Sequence, residues 1–144
     1  MSYITLALYD YLDDLSFINE VIETFVCDIN KDIEDFLKTK ALYLEKNHFS
    51  RTYLVFNNEM KPWGLVGYYT IALKNIDLDI DVSNSFRKMI SGYTSKKEAI
   101  IYLIGQIGKN TAISSNYQID GRELMSNAFA TIYNAFLLVG GRTM

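Results

Sequence analysis

The 144 residues predict a single α/β (α+β) domain: a mixed sheet flanked by helices in the order β-α-α-β-β-(α)-β-α-β. Three observations carry this. Short apolar runs rich in β-branched and aromatic residues alternate with segments of helical period. Hydrophobic residues make up 49% and charged residues 22%, which suits a folded chain with one core. The sequence shows no internal repeat, low-complexity tract or linker, so residues 1–144 read as one domain.

Residues 3–9, YITLALY, read as the first strand, ended by Asp10, Asp13 and Asp14. In residues 15–26, Phe17, Ile18, Val21, Ile22 and Phe25 fall three and four apart and predict a helix. Residues 30–47 predict one long helix. Ile33, Phe36, Leu37, Ala41 and Leu44 form its apolar stripe, Lys38, Lys40, Glu45 and Lys46 lie outside it, Asn30 is the N-cap and Asn47 the stop. Residues 51–57 and 63–75 predict a hairpin across NEMKP, with Gly64 and Gly67 marking a bulge. Residues 76–82 alternate strictly and extend that strand, and residues 83–91 suit a short helix. The unbroken apolar run at 98–108 predicts a strand buried on both faces at the centre of the sheet. A polar loop, 109–120, leads to a helix over 121–138, then VGGRTM.

Net charge is −3 and the pI about 5.1, without a Lys/Arg block, so a nucleic-acid partner is not expected. One cysteine, Cys27, and one histidine, His48, exclude an intramolecular disulfide and argue against a zinc cluster. Cys27 reads as a packed apolar residue. The N-terminus lacks the basic start of a signal peptide, and no apolar run approaches the ~20 residues of a membrane span. A soluble protein of the reducing cytoplasm is expected.

Chemistry points to the strand-loop-helix unit at 100–138. A helix N-terminus offers backbone N–H groups and a positive dipole end to an anion. Gly121, at the start of that helix, would let a phosphate approach without a Cβ in the way. Asn110, Asn116 and Gln118 are neutral donors nearby. The competing reading is a plain capped helix, with Asp120 and Glu123 as a capping box.

Three stretches resemble the GNAT superfamily of acetyl-CoA-dependent acyltransferases, in the branch that includes tRNA-acetylating toxins and phage relatives: FVCDINKDIEDFLKTKALYLEKNHFSRTYLVF at 25–56, YLIGQIGKN at 102–110, and the helix from Gly121 followed by GGR. The resemblance implies a GNAT-like fold, an acetyl-CoA cofactor and an amine acceptor. The family's pyrophosphate loop, Gln/Arg-x-x-Gly-x-Gly/Ala, fits imperfectly in two registers. One uses Gln118 and Gly121, with Glu123 in place of the final Gly/Ala; the other, preferred, makes Gly121 the last glycine, with Asn116 and Ile119 replacing the polar and glycine positions. The cofactor residues it implies are Gly105, Gln106 and Ile107 for the pantetheine arm, and Asn116, Gln118, Ile119, Gly121 and Arg122 for the phosphates. Glu98 and Tyr102 are the candidates to face the acceptor, Glu98 reading equally as a solvent-exposed strand end. Tyr68 and Tyr69 stand as either groove-lining or core aromatics.

In such proteins a further helix and strands follow, carrying a tyrosine general acid; here nothing after VGGRTM matches, so the fold is expected to be C-terminally abbreviated. An unclosed sheet edge invites pairing, so a homodimer or a partner protein is expected. The alternatives to an acetyltransferase are a catalytically inactive GNAT-derived binding or inhibitor module, possible in a phage, and a tRNA-acetylating toxin, which the acidic balance disfavours.

Overall fold

The computed structural model describes residues 2–77 and 98–138, with the backbone alone for 75–77 and 98–100. The expected strand extension over 78–82, the short helix at 83–91 and the VGGRTM segment lie outside the described residues.

Strand β1 (Tyr3–Ala7) runs into a 3-10 turn (Leu8–Tyr11) and then α1 (Leu15–Glu23). Helices α2 (Lys31–Thr39) and α3 (Ala41–Lys46) follow, then β2 (Arg51–Asn57), β3 (Gly64–Asp77), β4 (Glu98–Lys109) and α4 (Gly121–Leu138). The four strands form one sheet in the order β1-β2-β3-β4, and every described pairing is antiparallel. This corrects two expectations. The described sheet is not mixed, and β4 is its edge rather than its centre. Leu103 and Gly105 are exposed on β4, so its apolar run is not buried on both faces.

The sheet separates two cores. Ile18, Ile22, Phe25, Leu37 and Ala41, from α1 to α3, pack on Leu54, Phe56, Leu65 and Tyr68. On the opposite face Leu124 and Ala128 of α4, with Ile119 just before it, pack on Val55, Val66, Tyr69 and Ile71. Leu65 and Tyr68, three apart, share a face because the β2–β3 register shifts between Val55 and Phe56. That is the bulge expected beside Gly67. A Cβ on Gly67 would lie 2.9 Å from the Gly108 carbonyl oxygen and 3.1 Å from Leu124 Cδ2, so glycine lets strand and helix close together.

The expected helix at 30–47 is two helices. Lys40 leaves helical geometry at φ −123°, ψ −29°. The break turns Glu45 inward, not outward as its spacing predicts. Glu45 is buried, and its Oε1 accepts a hydrogen bond from the Thr52 N–H at 2.9 Å. Asn30 caps α2 as expected, its side chain accepting from Asp32 N–H at 3.0 Å. No helix among the described residues is long and apolar enough to cross a membrane.

Candidate functional site

The outer edge of β4 carries a bulge at Gly105. Thr70 pairs with Gln106 and Ile71 with Ile104, so Gly105 has no partner residue on β3. The bulge reverses the alternation of side chains. Tyr102 and Ile104 before it, and Ile107 after it, all pack toward the α4 core. A bulge bends the strand and frees local backbone groups from the ladder. A Cβ at Gly105 would lie 3.2 Å from Thr70 Oγ1, so the position is exposed but snug on its inner side. Gly105, Gln106 and Ile107 therefore occupy a distorted stretch of a strand with a free edge among the described residues, the geometry an extended polar chain needs for backbone pairing.

Twelve residues after β4, Gly121 opens α4. A Cβ built there meets nothing within 4 Å, so this face of the helix start is open. Asp120 is the N-cap: its Oδ1 accepts from Arg122 N–H at 2.8 Å and its carbonyl accepts from Leu124 N–H at 3.0 Å. The N–H groups of Gly121 and Glu123 have no such bond among the described residues, and Arg122 is exposed beside them. Two free donors, one guanidinium and a dipole end favour an anion. The Asp120 carboxylate opposes it.

The rest of the loop is less available than the sequence suggests. Ile119 is buried in the α4 core, leaving only its backbone to meet a ligand. Gln118 spends its amide on the Ile113 carbonyl at 2.9 Å. Asn116 is exposed. Asn110 is not a free donor: it is buried, its Nδ2 donates to the carbonyls of Thr24 (3.1 Å) and Leu65 (2.8 Å), and its Oδ1 accepts from the N–H groups of Val26 (3.1 Å) and Ala112 (3.0 Å). It ties the end of β4 to the end of α1.

Among the acceptor-side candidates, the side chain of Glu98 lies outside the described part. The Tyr102 ring packs edge-on against Phe136, centroids 4.8 Å apart. Tyr68 and Tyr69 are both fully buried, on opposite faces of β3. Burial pushes the Tyr69 hydroxyl up to about 12, so it stays protonated and donates. Neither tyrosine lines a groove. Cys27 is buried, as expected of a packed thiol.

The sequence reading missed a cleft of about 890 Å³ between α1, the tip of the β2–β3 hairpin and the loop after β4. Phe17, Val21, Met60, Trp63, Ile113 and Tyr117 line it, with Glu20, Glu59 and Lys61 among its polar groups. Its size is that of a ligand site. Trp63 after Pro62 in a hairpin tip was the available signal, an exposed aromatic where turn residues are usually small and polar.

No family model and no curated protein matches the chain. Solved structures do. AtaT complexed with acetyl-methionyl-tRNAfMet is 20% identical, with 97% of this chain and 74% of that one aligned at a TM-score of 0.66. A mutant of KacT is 18% identical over 98% of this chain and 75% of that one, at 0.67. A mutant AtaT toxin bound to the C-terminus of the antitoxin AtaR and acetyl-CoA is 17% identical over 98% and 72%, at 0.64. These neighbours are toxins, not the phage proteins that the resemblance also suggested. At such identities the likeness speaks to fold, and the chain has the GNAT fold.

Proposed function

We propose that the protein is an N-acetyltransferase that moves an acetyl group from acetyl-CoA to an amine. The observation that carries this is the Gly105 bulge on the edge of β4 that is unpaired among the described residues, followed by an open helix start at Gly121. Gly105, Gln106 and Ile107 would hold the pantetheine arm through backbone groups. The Gly121 and Glu123 N–H groups and Arg122 would hold the phosphates. The cofactor supplies an acetyl thioester, whose carbonyl carbon is open to attack by the neutral amine as the carbon–sulfur bond breaks. Backbone N–H groups near the bulge would polarise that carbonyl. Tyr102 is the described candidate to pass the proton between amine and leaving thiolate.

One neighbour suggests an acceptor class to test. AtaT was solved with acetyl-methionyl-tRNAfMet, so the amino group of a charged tRNA is the first acceptor to test. The net charge of −3 weighs against nucleic acid and leaves other amines in play. The reaction belongs in the cytoplasm, where the single thiol stays reduced. A homodimer is part of the proposal, because among the described residues the outer edge of β4 and the outer face of α4 both leave surface that a partner would cover.

One observation favours a second reading. The Asp120 carboxylate at the α4 N-terminus is a poor neighbour for a pyrophosphate, which suits a GNAT-derived module that binds another protein and no longer binds the cofactor. Titration calorimetry with acetyl-CoA separates the two. Binding by the wild type, abolished by Gly121→Asp with an unchanged circular dichroism spectrum, supports the enzyme. No heat at millimolar acetyl-CoA rejects it in favour of the binding module.

A further inference from the structure

The outer face of α4 is built like an interior. Its inner face buries Leu124 and Ala128 against the sheet. Beside that face and winding outward, Met125, Phe129, Tyr133 and Leu137, each four residues after the last, are 36%, 59%, 60% and 59% exposed, and Leu138 is 86% exposed. No charged residue occurs from Leu124 to Leu138. A helix that carries a continuous row of large apolar side chains on its outer side as well as its inner one is normally covered there too.

We infer that this face pairs with the same face of a second copy, two α4 helices packing antiparallel about a two-fold axis near Ala130. The inference rests on the homodimer proposed above and assigns its interface. Three features select a second copy over an unrelated partner. First, the surface is self-complementary. The ridge Met125–Phe129–Tyr133–Leu137 lies beside a row of smaller exposed side chains, Ser126, Ala130 and Asn134. Ridges spaced four apart pack into the grooves between such rows when both helices use the same class of ridge. An isologous contact needs ridge and groove on one surface. Second, with no charge on the face, a basic or acidic partner finds nothing to pair with, whereas an identical neutral face loses nothing. Third, the area is sufficient. A Phe or Tyr about 60% exposed presents on the order of 100 Å², so these side chains together cover roughly 500 Å² per protomer and 1,000 Å² in all, the lower bound for a specific interface. The ridge is about 18 Å long, enough for a full helix crossing.

Sedimentation and site-directed crosslinking test it. The wild type is expected to be a dimer at micromolar concentration, and Phe129→Glu, a change at an exposed site, to weaken the dimer at least about a hundredfold while leaving circular dichroism unchanged. Because Cys27 is buried, a cysteine introduced by Ala130→Cys should be joined to its twin by a short thiol crosslinker, and one introduced by Glu23→Cys, on α1 across the sheet, should not. A wild type that stays monomeric at ~100 µM overturns both the homodimer and this interface. A dimer that survives Phe129→Glu, or that crosslinks through position 23 and not 130, keeps the homodimer and overturns this face. Acetyl-CoA titration of Phe129→Glu reports on the catalytic reading separately.

Discussion

The Tyr69 hydroxyl lies 2.7 Å from Oδ1 of Asn127 and 2.6 Å from Oγ1 of Thr131, so a strand residue is bonded to two successive turns of the helix across the sheet. Thr5 of β1 donates to the same Asn127 oxygen at 2.9 Å. Three elements distant in sequence are thus held in register at one polar point within the α4 core. Tyr69→Phe removes one hydroxyl, and Thr5 still satisfies Asn127. A loss of about 1–1.5 kcal/mol is expected, read from urea denaturation midpoints. Asn127→Leu strips partners from both Tyr69 and Thr5 and should cost more.

Asn110 should be the most sensitive polar residue outside the apolar cores. Asn110→Ala leaves two N–H groups and two carbonyls without their partner in a buried position, at a cost of roughly 3 kcal/mol or more. Asn110→Asp keeps an acceptor for Val26 and Ala112 but sets a carboxylate against the Thr24 and Leu65 carbonyls. It should therefore be no better than alanine at pH 7. Equal stability of Asn110→Asp and wild type would show that the hub is solvated.

Acid should weaken the loop between α1 and α2. The Lys31 ammonium, 2.6 Å away, and the Cys27 N–H, at 2.9 Å, hold the Glu34 carboxyl down to about 2 from 4.5. A depressed carboxylate stabilises the fold fully above its unfolded value and loses that contribution as pH falls toward its folded one. Wild type should therefore lose stability from about pH 4.5 down toward pH 2, and Glu34→Gln should show a flatter profile over the same window. Parallel profiles would mean that the ion pair contributes nothing.

Asp120→Asn separates the capping role of this side chain from its charge. Asparagine caps a helix as well as aspartate does, so thermal stability should change little. Removing a like charge close to the bound pyrophosphate should tighten acetyl-CoA binding by about 1 kcal/mol, roughly fivefold. Weaker binding in this variant would mean that the phosphates do not sit at this helix start.

Local signals were enough wherever a residue's fate depends on its near neighbours in the chain. The bounds of α4 at 121 and 138, the Asn30 cap, the β2–β3 hairpin and the bulge beside Gly67 all follow from period, cap and glycine rules acting over a few residues. What the tertiary structure decided are matters of placement. The apolar run of β4 reads as a buried central strand, yet only pairing determines that it stands at the edge of the described sheet. Glu45 reads as solvent-facing until the break at Lys40 turns it under β2, a gain that a helix pattern cannot register because its partner, the Thr52 N–H, belongs to another element. Asn110 reads as a loop donor, and its four partners come from the segment just after α1, from β3 and from its own loop. The cleft at Trp63 likewise exists only because the hairpin tip, α1 and the β4–α4 loop converge. Composition and periodicity determine which elements form; which of their polar groups remain free for chemistry is set by contacts between residues far apart in sequence.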